Sequence, residues 1–370
     1  MAIGSATPGA PPPPAGPPTQ KVSDVITTFR PTRRFKSPSS STAITSLDFD
    51  DTGELAVIAR DDDTLQIYNC KEGKHAKELR SQKYGVTLAR FSHHAQSIIH
   101  TSNKIDDTIR FLSTHDNSYI RYFKGHADTV TSIALCPSSD SFISCSRDKT
   151  VRLWALNSNS HQGLLKLHAP YLAVYDPSAT VIAIASPPTH SILLYDVRNY
   201  DKSPFATFDL LELEQRFLSQ GGDWTKMEFT NDGKNLVVST TGNGHFVLDA
   251  FSGEISHFCY RKAGHSGRLA PGIVTPGNSA NIPNGSTPAT GQGDVCVTPD
   301  GQYLVGGSGE DGLLVWDISK APTPNNYLEP MEVLPGPGKA AVVGYNPRTN
   351  LLASADRDLL LWHPDPDLMM

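Results

Sequence analysis

The 370-residue chain has only five cysteines, Cys70, Cys136, Cys145, Cys259 and Cys296, and no two stand in a CxxC spacing. An odd, scattered set excludes a disulfide framework and the usual zinc patterns. It fits a reducing compartment, cytosol or nucleus, with the thiols packed as small hydrophobes. No stretch approaches the roughly 20 apolar residues that cross a bilayer. The opening MAIGSATPGAPPPPAGPPTQ lacks the basic and apolar regions of a secretory signal, so neither secretion nor membrane embedding is expected. A dominant charge is lacking too: 32 Lys and Arg face 38 Asp and Glu, for a formal net charge of −6. That balance argues against a dedicated nucleic-acid binder. The local exception is RPTRRFK (30–36), with four cations in seven residues, which reads as a solvated face or strand edge.

Catalytic motifs are missing as well. GPGKAA (336–341) has the Gly-Lys of a phosphate loop without its upstream glycine or following hydroxyl. GGSGED (306–311) is not a GxSxG elbow. There is no HExxH and no EF-hand loop. His93 and His94 are adjacent, and neighbouring side chains on a strand point apart, so they do not make a metal pair. Asp61, Asp62 and Asp63 read as turn residues rather than a catalytic carboxylate pair. The expectation is a protein with no catalytic, cofactor-binding or metal-binding residues.

What is there is repetition. TLQIYNC, TIRFLST, TVRLWAL, SILLYDV, GHFVLDA, GLLVWDI and DLLLWHP align on Tyr68, Leu112, Trp154, Tyr195, Leu248, Trp316 and Trp362. The steps between them are 44, 42, 41, 53, 68 and 46 residues. Six residues before each aligned position stands a turn residue: Asp62, Asp106, Asp148, Thr189, Gly242, Glu310 and Asp356. An Asp there can accept bonds from turn amides and close a short hairpin. A strand precedes each turn, a reversal rich in Pro, Gly, Asp or Asn precedes that strand, and a further strand such as VTSIALC comes before it. A weaker outer strand such as YIRYF (119–123) completes the unit. A β-rich unit repeated seven times just above forty residues predicts a radial array of sheets.

The repeats resemble the WD40 family over about residues 40–363, most clearly in GHADTVTSIAL and the strand ending RLW of the third unit. The fold this implies is all-β: a seven-bladed WD40 β-propeller, with VITTFR or RRFK near the N-terminus completing the last blade. The domain expectation is a disordered Pro-rich tail over 1–20, a propeller over 21–364 and a C-terminal tail over 365–370. A disordered, Gly/Pro/Ser/Asn/Thr-rich insert is expected around 263–292. The resemblance also places His126, Ser146, Asp148 and Trp154 at the family's buried hydrogen-bond tetrad, which makes that trio of polar groups structural rather than catalytic.

SNKIDDTIRFLSTHDNSYIRYFKGH (102–126), LYDVRNYDKSPFATFDL (194–210) and WTKMEFTNDGKNLVVSTTGN (224–243) go beyond generic WD40 text. They resemble the WD-repeat subunit family shared by the COMPASS histone H3 lysine 4 methyltransferase and the cleavage and polyadenylation factor. That resemblance implies a nuclear, non-catalytic scaffold. Its partners would be the N-terminal region of the methyltransferase and a cleavage and polyadenylation factor subunit that regulates a phosphatase. RNA polymerase II and ubiquitylated chromatin would be reached indirectly, and no nucleic acid or membrane is expected as a direct partner. Rings of this family bind through the face bearing the tight turns, where the candidates are Lys83, Tyr84, Lys104, Ile105, Asp128, Arg147, Tyr171 and Trp224. They mix aromatic anchors with cations, the types enriched at interface hot spots, although Tyr171 and Trp224 read equally well as plugs of the blade entry. Leu210, Leu213 and Phe217 recur at helical spacing and predict a short helix packed on the ring. The alternative rests on YDVR (195–198). With Asp196 and Arg198 it resembles the box by which some WD40 proteins dock on cullin-RING ubiquitin ligases as substrate receptors.

Overall fold

The repeat strands are apolar on both faces because each sheet stands between two others. The computed structural model describes residues 20–39, 42–219, 222–261 and 293–369. They form seven sheets arranged as the blades of a β-propeller. In order, the blades span residues 44–80, 89–123, 130–166, 172–209, 224–260, 295–334 and 342–364. Each runs antiparallel from an innermost to an outermost strand, and blade 5 gains a fifth, parallel strand, Tyr327–Leu328. Because a blade is covered on both sides, the hydrophobic core is divided. Seven clusters of buried side chains lie one at each blade–blade interface. Between blades 2 and 3, for example, Phe123 and Phe142 meet edge to face with ring centroids 4.9 Å apart, and Trp154 stacks on Phe142. All five cysteines are buried and free.

The ring closes as the sequence predicts. Strand Phe29–Phe35 is the outermost strand of blade 7, with Phe29 opposite Pro364 and Phe35 opposite Leu359. It joins the end of VITTFR to the start of RRFK. Pro31 has no N–H to give, and an outermost strand with a bulge between Pro31 and Arg33 is where a sheet tolerates that. Before this strand, Val25 and Ile26 fill the interface between blades 6 and 7. Polar clamps add to the closure: Asn346 Nδ2 donates to Gly53 O at 2.7 Å and Arg348 Nε to Asp51 O at 2.9 Å, across blades 7 and 1.

Two expectations at the chain's ends and in its middle fall mostly outside the described residues: the tail, except for Gln20, and the insert over 263–292. The residues flanking the insert are firmly held. Arg261 and Asp294 form a fully buried ion pair at 2.5 Å, and Arg261 Nη2 also donates to Gly242 O at 2.8 Å. The expected C-terminal tail is part of the ring up to Met369. Asp365 N donates to Thr28 O, Pro366–Leu368 makes a 3-10 turn, and Met369 packs on the core between blades 6 and 7. The helix predicted from Leu210, Leu213 and Phe217 is Leu211–Phe217; Leu210 and Phe217 are buried in the core between blades 4 and 5, and Leu213 packs against it.

Candidate functional site

Blade 3 carries a hydrogen-bond relay. Trp154 Nε1 donates to Ser144 Oγ at 2.9 Å, and Ser144 Oγ lies 2.7 Å from His126 Nε2. His126 Nδ1 lies 2.9 Å from Asp148, which also accepts from Thr150 N and Oγ. Burial lowers the pKa of His126 and outweighs Asp148 beside it, so the ring is neutral, with Nδ1–H donating to the carboxylate and Nε2 accepting from the serine. Burial would raise Asp148, but hydrogen bonds from Thr150 and His126 hold it below the usual value. The serine of the tetrad is therefore Ser144 and not Ser146. In the strand SFISCS, Ser144 and Ser146 face the same way, and register alone decides between them. Ser146, at the turn end, donates to Asp128 O at 2.7 Å and accepts from Asp148 N. The relay ties the inner turn to the third strand and offers no open position to a substrate.

The turn face of blade 2 is built differently. Its aligned position is Leu112, and Arg110 takes over the polar centre. This guanidinium is buried, bonds Asp106 at 2.8 Å, and lies 3.7 Å from the centroid of the Tyr84 ring. A desolvated guanidinium over an aromatic face is worth about 2 kcal/mol. Tyr84 O accepts from Asn103 N and Lys104 N, which ties the linker between blades 1 and 2 to the blade 2 turn. Gly85 makes this possible: its φ is +76°, in the left-handed region that favours glycine, and a Cβ there would collide with Asn103 Oδ1. Lys83 stands 5.0 Å from the Tyr84 centroid, and Lys104 pairs with Asp63 of blade 1. Around these cations Ile105 is 61% exposed, and Ile120 and Tyr122 are 49% and 39% exposed on the outer strand. Large apolar side chains ringed by cations and a half-buried tyrosine have the make-up of an interface hot spot.

Four of the eight partner-binding candidates, Lys83, Tyr84, Lys104 and Ile105, thus come together. Asp128 lies nearby at the start of blade 3, close enough that burial, with Asp128 and Asp106 beside it, raises the pKa of Asp107. Arg147 is half-buried and its amide donates to Thr129 O. Tyr171 and Trp224 are different. They are 9% and 1% exposed and sit in the core between blades 4 and 5. Trp224 Nε1 donates to Glu214 Oε1 at 2.5 Å, so the helix covers it. Neither offers surface to a partner, because each closes the start of an innermost strand. Arg110 and Tyr122 belong to the patch, with Ile120 exposed on the same outer strand, and none was singled out in the sequence. The signal was the alternation in YIRYF, which leaves Ile120 and Tyr122 facing outward.

Other polar groups singled out in the sequence are engaged within the ring. Tyr195 of YDVR is buried, and Asp196 accepts from Arg198 N and Asn199 Nδ2, capping the turn Val197–Asn199. The axis holds a cavity of about 660 Å³ lined by every blade. In it, burial raises Asp48 to about 6 although Arg90 and an amide bond from Phe91 oppose the shift. His93 bridges Asp51 and Cys136 O at 2.8 and 2.9 Å, linking blades 1, 2 and 3. Among the described residues no three His, Cys, Asp or Glu side chains are grouped to hold a metal ion.

Comparison with known proteins follows the same architecture. The family model described as WD domain, G-beta repeat, matches residues 29–69 and 117–155. Both matches begin on the outermost strand of one blade and run through the first three strands of the next. Over most of its length the chain is similar to Set1 complex component swd2 of Schizosaccharomyces pombe. The two are 32% identical, over 92% of this chain and 98% of that one. WD repeat-containing protein 82 of Drosophila melanogaster is 35% identical over 93% of this chain and 96% of its own. COMPASS component SWD2 of Saccharomyces cerevisiae is 28% identical over 90% and 92%.

Proposed function

The chain belongs to the WD-repeat family that contains Set1 complex component swd2 and WD repeat-containing protein 82, and from that membership we propose that it is a non-catalytic scaffold subunit of a COMPASS-type histone H3 lysine 4 methyltransferase complex in the nucleus. The observation that carries this reading is likeness along almost the whole chain to a relative whose name places it in the Set1 complex. A ring of pre-ordered loops suits the role, because it clamps a flexible segment without ordering itself.

The patch of Lys83, Tyr84, Lys104 and Ile105 on blade 2, extended by Asp128 and Arg147, holds the N-terminal region of the methyltransferase. The same scaffold serves the cleavage and polyadenylation factor through the subunit that regulates a phosphatase. RNA polymerase II and ubiquitylated chromatin are reached through these assemblies. The residue types of the patch and the resemblance in SNKIDDTIR support these finer statements.

Affinity purification of the tagged chain from nuclear extract, with mass spectrometry, tests the reading. Methyltransferase-complex subunits should co-purify, and I105D or K83E should cut their recovery about tenfold while leaving the melting temperature unchanged. Recovery of a cullin adaptor with neither assembly present would overturn it.

A further inference from the structure

A second feature of the turn face lies at the seam of the ring. A cleft of about 390 Å³ opens there between the end of the closing strand, the blade 7 turn and the linker from blade 6. Its walls carry four cations, Arg34, Lys36, Lys339 and Arg357, and two carboxylates, Asp356 and Asp358. Asp358 is taken: Arg34 bonds it twice at 2.7 Å, and Ser37 N donates to it at 2.8 Å. Lys36, Lys339 and Arg357 are exposed and form no ion pair among the described residues. This clustering occurs in a chain of net charge −6.

The described acidic side chains leave these three cations without an ion pair. Residues 1–19, 40–41, 220–221, 262–292 and 370 contain no Asp or Glu, so every acidic side chain is already placed in the ring. Charge complementarity therefore favours an acidic partner at this cleft. We infer that the seam cleft docks a short segment of a partner protein rich in Asp or Glu.

Two features favour a peptide over a nucleic acid. Asp356 and Asp358 are fixed negative charges in the wall, which a continuous phosphate chain cannot avoid and a peptide can meet with neutral residues. No aromatic side chain lines the cleft, so bases have nothing to stack on. The site is distinct from the blade 2 patch and does not depend on which complex the chain joins.

The test is binding of a fluorescein-labelled oligoglutamate to the full chain, followed by anisotropy. Saturable binding that weakens with added salt is expected. K36E, K339E and R357E should each weaken it about fivefold, and K36E with R357E should abolish it. K202E, an exposed cation at a turn on the opposite face, should leave it unchanged. All four positions are exposed, and matching thermal melts show that the variants are folded. Absence of saturable binding at low salt overturns the inference, as does equal loss with K202E. Tighter binding of an oligouridylate with the same dependence on Lys36 and Arg357 overturns it too, and makes the cleft a nucleic-acid site.

Discussion

Ser144 both accepts from Trp154 and donates to His126, so its hydroxyl satisfies two buried groups at once. Replacing it with alanine orphans both. S144A should therefore cost about 1–3 kcal/mol in urea unfolding, and an unchanged midpoint would remove it from the relay. Histidine titration gives a second expectation at this scale. His100, His126, His245 and His257 are all held below their usual 6.5 by burial, His100 at about 4. Below pH 6.5 the unfolded chain takes up protons on these rings that the folded chain refuses. Stability is therefore full above that pH and falls beneath it. Asp48, raised to about 6 by burial, works in the opposite direction between pH 6 and 4. The stability difference between wild type and H100Q should shrink by about 1.4 kcal/mol per pH unit from 6.5 to 5; a constant difference would mean that His100 is not buried neutral. Individual residues were the least legible level in the sequence. Ser144 and Ser146 differ by one strand repeat of two, and Trp224 looks like an exposed anchor until the helix over it is known.

At the level of elements, the closing strand matters most. Among the described residues, Phe29–Phe35 supplies the only strand partner on the outer side of Leu359–Pro364. Its removal also takes Val25, Ile26 and Phe29 out of the core between blades 6 and 7. A chain starting at residue 37 should lose its single cooperative melt, and retention of that melt would show that the ring closes without the strand. Strand order and closure were legible because the β period and the turn residues repeat. The fifth strand of blade 5 was not: Tyr327–Leu328 is two residues long and pairs in parallel, with no alternation to mark it. The helix was legible because Leu210, Leu213 and Phe217 have one burial surface in common.

Across the whole molecule, the core is shared among seven interfaces, and no blade buries both of its faces alone. This is why unlike blades coexist in one ring. Blade 3 is held by its relay, and blade 2 by Arg110 against Tyr84. Blade 7 repeats the Trp362–Ser354 part of the relay, at 2.9 Å. The seven-fold count was readable because each interface demands the same apolar strand. The candidate patch was half readable, because Lys83, Lys104 and Ile105 lie in turns, while Arg110 is hidden in a strand that looks like plain core.

The closing strand also sets a timetable. Thr32 bonds Leu361, 329 residues further along the chain. At about 5–20 residues per second of synthesis, the strand waits roughly 15 to 70 seconds on the ribosome before its partner exists. For that time it is an unpaired edge, open to the wrong neighbour. FRPTRRF is suited to the wait, since a proline and three arginines are what keeps an idle edge from pairing elsewhere. The basic run at the start of the ring thus protects the nascent chain before it completes the finished one.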